Sequence, residues 1–119
     1  MEKLNTIQKR ENLNEVYRTG EAGPGGAYHD YVIVAPETQH IITQIQFQKG
    51  PRKDPNARHG VLDTDLLEIV RDRLKAFCDG TMTNPYTEHA LGHVEAALHH
   101  LNQRVEDRIA RQVLGTMEK

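Results

Sequence analysis

The spacing of apolar residues changes once along this 119-residue chain, and that change constrains the fold more than any other feature. In residues 40–48, Ile41 and every second residue up to Phe47 fall on one face, with Gln44 and Gln46 on the other. This alternation is the period of a β-strand. From Asp63 onward, apolar residues recur every three or four positions, which is the period of a helix. Strands followed by helices predict an α+β fold.

Turn residues and β-branched runs set the predicted boundaries of the sheet. Strands are predicted over 28–35 and 40–48, with residues 16–18 as a further strand of an antiparallel meander. The polar residues 1–13 are expected to lie outside regular structure. Gly, Pro and Asn interrupt residues 49–60, which are predicted to form a loop.

Capping residues set the boundaries of two predicted helices. Asp63 or Thr64 is the expected N-cap of the first helix, and Gly80 its expected end. The second begins at Asn84-Pro85, a cap residue followed by proline, and is expected to end at Gly115. The sequence therefore predicts a single domain, 1–119, with an antiparallel β-sheet part (14–60) followed by an antiparallel two-helix hairpin (61–116).

Composition excludes several classes of function. A formal net charge of −2 offers no basic excess for DNA, and no apolar run is long enough to cross a membrane. The single cysteine, Cys78, fits a reducing cytoplasm, and the start of the chain lacks the apolar core of a signal peptide. The chain has no Trp and few other aromatic residues, so oligomerisation is expected to supplement a small core.

The second predicted helix carries a basic strip beside its apolar stripe. At 100° per residue, several cationic and imidazole side chains project in nearly one direction: His89, His93, His100, Arg104 and Arg111. Arg108 lies between this strip and the apolar stripe. Arg104 and Arg108 are one turn apart and could clamp a diphosphate, since guanidinium forks match phosphate geometry. The alternative is a solvated helix end in which Asp107 pairs with Arg104 or Arg111.

Other candidate chemistry is weaker. His89 and His93 have the spacing of two zinc ligands, but no glutamate follows the first histidine and no third ligand stands at a telling spacing. Cys78 is predicted to be a small packed residue of the first helix. The sequence contains no nucleophile motif and no phosphate-loop motif. The sequence therefore predicts no enzyme, no cofactor and no metal. Phe77 could be a core residue or a platform on which a ring stacks. Arg52 could contact an anion or simply lie in a solvent-exposed turn.

Several segments, in order, resemble the first class of phage Thoeris anti-defence proteins. They are the Gly-Pro-Gly-Gly-Ala stretch at 23–27, Phe47 to Pro51, Asp65 to Phe77, and Glu95 through Arg104 and Arg108 to Thr116. The resemblance covers roughly residues 14–116. The helical hairpin of that family is shared with phage anti-CBASS sponges.

The resemblance implies a sequestering protein in the cytoplasm of the bacterial host. Such a protein binds, without cleaving, a cyclic ADP-ribose isomer made by a TIR-domain enzyme, and so blocks Thoeris immunity. Some members of the family are hexamers with separate sites for cyclic oligonucleotides. The implied partners are therefore the cyclic ADP-ribose isomer, cyclic di- or trinucleotides, and further copies of the chain in a homodimer or homohexamer.

The resemblance also implies a pocket between two protomers. An aromatic ring stands at the position of Phe77, a polar side chain at Thr87, and two arginines of the partner at Arg104 and Arg108. Arg52 would lie in the loop that closes the pocket. Thr87 stands where asparagine is usual, which changes one hydrogen bond. Two alternatives remain: an oligomeric phage scaffold protein with no small ligand, and a small hydrolase acting on a cyclic nucleotide.

Overall fold

The computed structural model describes residues 1–11 and 13–119. The chain divides into two compact units: residues 1–50 with 56–61, and residues 51–55 with 62–119. The first unit is a four-stranded antiparallel sheet and the second contains two helices. The predicted α+β class, a sheet followed by helices, is confirmed.

The sheet runs in the order β1 (Glu2–Lys3), β2 (Glu15–Thr19), β3 (Asp30–Val34) and β4 (Ile41–Gln46). The meander of β2, β3 and β4 follows the prediction, but β2 extends one residue further at each end, and β3 and β4 are each three residues shorter than predicted. The first strand contradicts the expectation that residues 1–13 are irregular. It pairs with β2 through the main chain, with Leu4 N–H donating to Val16 O at 2.8 Å just beyond it. Ion pairs add to this pairing: Lys3 Nζ lies 2.6 Å from Glu15 Oε2, and Arg18 pairs with Glu2.

The buried apolar residues of the sheet lie on β3. Val32 and Val34 are only 7% and 2% exposed. A register shift between Ile33 and Val34 pairs Ile41 with Val34, while Thr43 pairs with Ile33. The prediction that Ile41 shares a face with Thr43 is therefore wrong, because the bulge breaks the alternation at that point.

A short segment after the 51–55 turn returns to the sheet unit and pairs beside the end of β4. Val61 N–H donates to Gln46 O at 2.9 Å, and Lys49 and Arg58 bond through both main chains. The crossing is close, because a Cβ on Gly60 would lie 2.5 Å from Gln46 O. Arg58 anchors the segment by an ion pair of 3.0 Å with Asp30.

The helical unit contains α1 (Asp63–Asp79) and α2 (Pro85–Ala110). Asn84 Oδ1 accepts the Thr87 N–H at 3.0 Å, which confirms the predicted cap of α2. The predicted N-cap of α1 is wrong: Leu62 takes that position, and its N–H donates to Asp65 Oδ2 at 2.8 Å. The second helix ends at Ala110 and does not reach Gly115.

The two helices pack through seams whose positions are three and four residues apart, the spacing of a coiled coil. The half-buried seam positions of α1 are 64, 67, 71, 74 and 78, and those of α2 are 87, 91, 94, 98, 101 and 105, with the buried 108 completing the series. Two seam positions are charged, 71 and 108. Arg71 Nε bonds Glu95 Oε2 across the hairpin at 2.9 Å. Within the described residues no helix is long and apolar enough to cross a membrane.

Candidate functional site

Arg108 is the buried charged residue of the helical unit. It continues the seam of α2 at the helix end and is 6% exposed. Its Nη2 donates to the carbonyl oxygens of Val113 and Thr116, each at 3.0 Å, and its Nη1 donates to the carbonyl of Glu118. These acceptors reach the guanidinium because the chain folds back beyond α2, with Gly115 at a φ of +80°. Residues 113–119 are called the terminal segment below.

Arg104 lies one turn before Arg108 and is exposed. The sequence left open whether Asp107 pairs with Arg104 or with Arg111. Asp107 Oδ2 accepts from Arg111 Nε at 3.1 Å. Among the residues that the structure describes, Arg104 has no ion pair. Its guanidinium is therefore free to bind an anion, whereas that of Arg108 is already engaged.

Arg52 lies in the 51–55 turn and is exposed. The next residue, Lys53, donates its N–H to Gly115 O at 3.3 Å. That bond joins the turn to the terminal segment, whose carbonyls in turn bind Arg108. The structure thus brings Arg52, Arg104 and Arg108 to the same end of the helical unit.

Phe77 and Thr87 lie at the opposite end, beside the turn between the helices. Phe77 is 42% exposed, so it is not a buried core residue. The guanidinium of Arg73 lies over it, 5.5 Å from the ring centre. Thr87 is half-buried in the first turn of α2. An exposed ring is suited to contact a planar group such as a nucleobase, and a hydroxyl near the same end of the hairpin could add a hydrogen bond.

The aromatic end, with Phe77 and Thr87, is too far from the arginines of the basic end for one small ligand to contact both within a single chain. Thr87 and Arg104 are 17 positions apart on the same helix (104 − 87). At a rise of about 1.5 Å per residue, this separation is about 25 Å. Two copies whose α2 helices run antiparallel could bring the ring of one beside the arginines of the other.

Other sequence candidates are not drawn together. His89 and His93 are both exposed, and no three metal-binding side chains cluster within residues 1–11 and 13–119. Cys78 occupies a seam position of α1.

Sequence reasoning missed the ion pair between Arg71 and Glu95. The hydrogen bond that Arg71 donates to the Glu95 carboxylate raises the pKa of Arg71 above its ordinary value. Arg71 stands four residues after Leu67 and three before Leu74. Counting seam positions in steps of three and four would have marked it as facing α2.

These features define a two-helix hairpin protein with an exposed aromatic end and a basic end. No family model matches the sequence. The chain is 35% identical over 78 residues to Thoeris anti-defense 1 of Bacillus phage SBSphiJ7. The aligned region is 66% of this chain and 54% of that protein, so the match spans about half the length of the relative. The chain is therefore a homologue of a Thoeris anti-defence protein, and the resemblance drawn from the sequence is confirmed.

Proposed function

We propose that this protein is a phage anti-defence protein that binds a cyclic ADP-ribose isomer and holds it without cleaving it. In the cytoplasm of an infected host, this sequestration would keep the signal of a TIR-domain enzyme from its effector and so block Thoeris immunity. The observation that carries the proposal is the placement of an exposed ring and of arginines at opposite ends of one hairpin. Each end supplies half of a site for a nucleotide with a diphosphate.

The proposal requires at least a homodimer. A two-fold arrangement with antiparallel α2 helices forms two equal pockets, each made from both chains. Apolar side chains left exposed on both helices support self-association: Ile69 and Val70 of α1 are 58% and 41% exposed, and Ile109 of α2 is 49% exposed. Contiguous exposed apolar surface is typical of interaction sites. Light scattering should therefore detect a dimer or a larger assembly, and a monomer at micromolar concentration would contradict the shared pocket.

Each proposed contact has a physical reason. Phe77 stacks on the adenine ring, and the Thr87 hydroxyl forms one hydrogen bond beside it. Arg104 and Arg108 of the second chain neutralise the diphosphate, because buried phosphate charge is costly without cations. Arg52 lies in the loop that closes the pocket over the diphosphate. Binding of this kind needs no nucleophile and no general base.

A release experiment tests the function. The purified protein is mixed with cyclic ADP-ribose isomers, freed of unbound ligand by filtration and heated, and the released material is identified by mass spectrometry. The expected result is intact ligand. A changed product would indicate a hydrolase, and absence of any retained ligand would favour a scaffold protein. Either result would overturn sequestration. Cyclic di- and trinucleotides tested in the same way would show whether the protein also binds these nucleotides, as the resemblance implies.

Two single substitutions test the site. Phe77→Leu should weaken binding by about 1–3 kcal/mol, the usual contribution of base–aromatic stacking. Tyr86→Leu is the matched control, because Tyr86 is an aromatic residue near the same end and is 86% exposed. Calorimetric titration measures both variants. If both variants lose the same affinity, or if neither loses any, the result would contradict a specific stacking role for Phe77.

A further inference from the structure

The terminal segment uses the part of the Arg108 guanidinium that a phosphate needs. Nη2 gives one hydrogen to Val113 O and one to Thr116 O, so both of its donors are occupied. Nη1 gives one hydrogen to Glu118 O. A guanidinium can form two parallel forks, one from Nη1 with Nη2 and one from Nε with Nη2. Both forks require Nη2, so neither is available while the segment is in place.

From this geometry we infer that the terminal segment is a latch on Arg108, which a diphosphate must displace before this arginine can bind it with two prongs. The inference rests on the proposed function, since it concerns the same arginine. Replacing the carbonyls by a diphosphate strengthens the hydrogen bonds of Arg108, because bonds from a guanidinium to a charged phosphate are stronger than those to neutral carbonyls. The free protein would then be mostly latched and the bound protein open.

The latch is held at several points other than Arg108. Thr116 Oγ1 donates to Val113 O at 2.5 Å, and Lys53 N–H donates to Gly115 O at 3.3 Å. Arg111 donates to Lys119 O. Opening the segment breaks the bond to Lys53 and so also frees the turn that carries Arg52. The same movement would release both basic side chains toward the ligand.

A binding-competent state that is only partly populated lowers the apparent affinity in proportion to its population. If the latch is open for about one molecule in ten, a variant that is always open should bind about tenfold more tightly. It should also bind faster, because ligand capture no longer waits for the segment to leave.

Gly115→Pro opens the latch without changing charge or chain length. Proline fixes φ near −65°, whereas Gly115 has a φ of +80°, so the turn that carries Thr116 and Glu118 back to Arg108 cannot form. Gly115→Ala is a milder second variant, since its Cβ would lie 3.1 Å from Lys53 Cγ. Met117→Ala is the control: this side chain is 71% exposed and its carbonyl does not bind Arg108.

Affinity and association rate for a cyclic ADP-ribose isomer are measured on the parent and the three variants, with circular dichroism to check folding. Tighter and faster binding by Gly115→Pro, a smaller gain for Gly115→Ala and none for Met117→Ala would support the latch. Binding by the parent with equal or weaker binding by both Gly115 variants would overturn the latch alone. No binding by any of the proteins would overturn the proposed function and the latch together.

Hydrogen exchange gives an independent readout on the parent protein. If the ligand displaces the segment, amides of residues 113–119 should exchange faster when the ligand is bound. Slower exchange would mean that the segment holds Arg108 in place for the ligand, and this result would also overturn the latch.

Discussion

Replacing Arg108 and Arg104 by alanine separates folding from binding at the basic end of the hairpin. The two residues are one turn apart and chemically identical, but Arg108 is 6% exposed and bonds three carbonyls, whereas Arg104 is exposed and unpaired among the described residues. Arg108→Ala should therefore destabilise the fold, and Arg104→Ala should not.

The expected magnitudes follow from these contacts. A hydrogen bond to a charged group contributes about 1.5–3 kcal/mol net. The three bonds of Arg108 are not additive, because the terminal segment can move into water once the guanidinium is gone. We expect Arg108→Ala to lower the free energy of unfolding by about 2–4 kcal/mol. Arg104→Ala, as an exposed substitution, should change it by no more than about 0.5 kcal/mol.

Urea denaturation followed by circular dichroism measures the difference, at one fixed protein concentration because an oligomer gains stability with concentration. Equal stabilities for the two variants would refute the reasoning and show that the buried contacts of Arg108 contribute nothing to folding. If the difference is found, loss of ligand binding in Arg104→Ala can be interpreted as loss of a ligand contact. Loss of binding in Arg108→Ala cannot be interpreted in this way, because that variant is also expected to be less stable.

Three further predictions concern other parts of the chain. Asn84→Ala removes the side-chain cap of α2 and should cost about 1 kcal/mol of stability, measured by urea denaturation. Gly60→Ala places a Cβ 2.5 Å from a backbone oxygen and should lower the melting temperature, whereas Gly25→Ala, which meets nothing within 4 Å, should change it little. The hydrogen bond from Lys3 holds the pKa of Glu15 below its ordinary value of 4.5. The stability due to Glu15 is therefore full at neutral pH and is lost as the pH falls through that lowered pKa, so Glu15→Gln should flatten acid denaturation curves.

The sequence predicted those parts of the fold that depend on short-range patterns. The change of period at Asp63 separated the sheet from the helices, and Asn84-Pro85 marked the start of α2. The strand at Glu2–Lys3 was missed because it has no apolar alternation of its own, and both its main-chain partners and its ion pairs lie in a distant segment. Ion pairs between residues far apart in sequence leave no periodic signal.

The candidate site shows the same limit. The apolar positions of α1 form a wide face, so the sequence could not decide which of them meet α2. Leu67 and Leu74 face it, while Val70 and Phe77 stay exposed. The position of Arg108 beside the apolar stripe was predictable from the helical projection. Its burial was not, because it depends on an irregular turn after Ala110 whose path no periodicity describes.

The way the chain passes between the two units restricts how the molecule can be cut or recombined. Residues 51–55 group with the helices although they lie between segments of the sheet unit. A helical fragment that starts at Leu62 would lack Lys53 and its bond to Gly115, and a sheet fragment that ends at Gly50 would lack the strand partners Arg58 and Val61. Chimeras that exchange hairpins between relatives therefore need junctions on both sides of residues 51–55. A single crossover at Leu62 would transplant the helices without the turn that bonds the terminal segment, and one at Pro51 would carry residues 56–61 of the sheet unit with them.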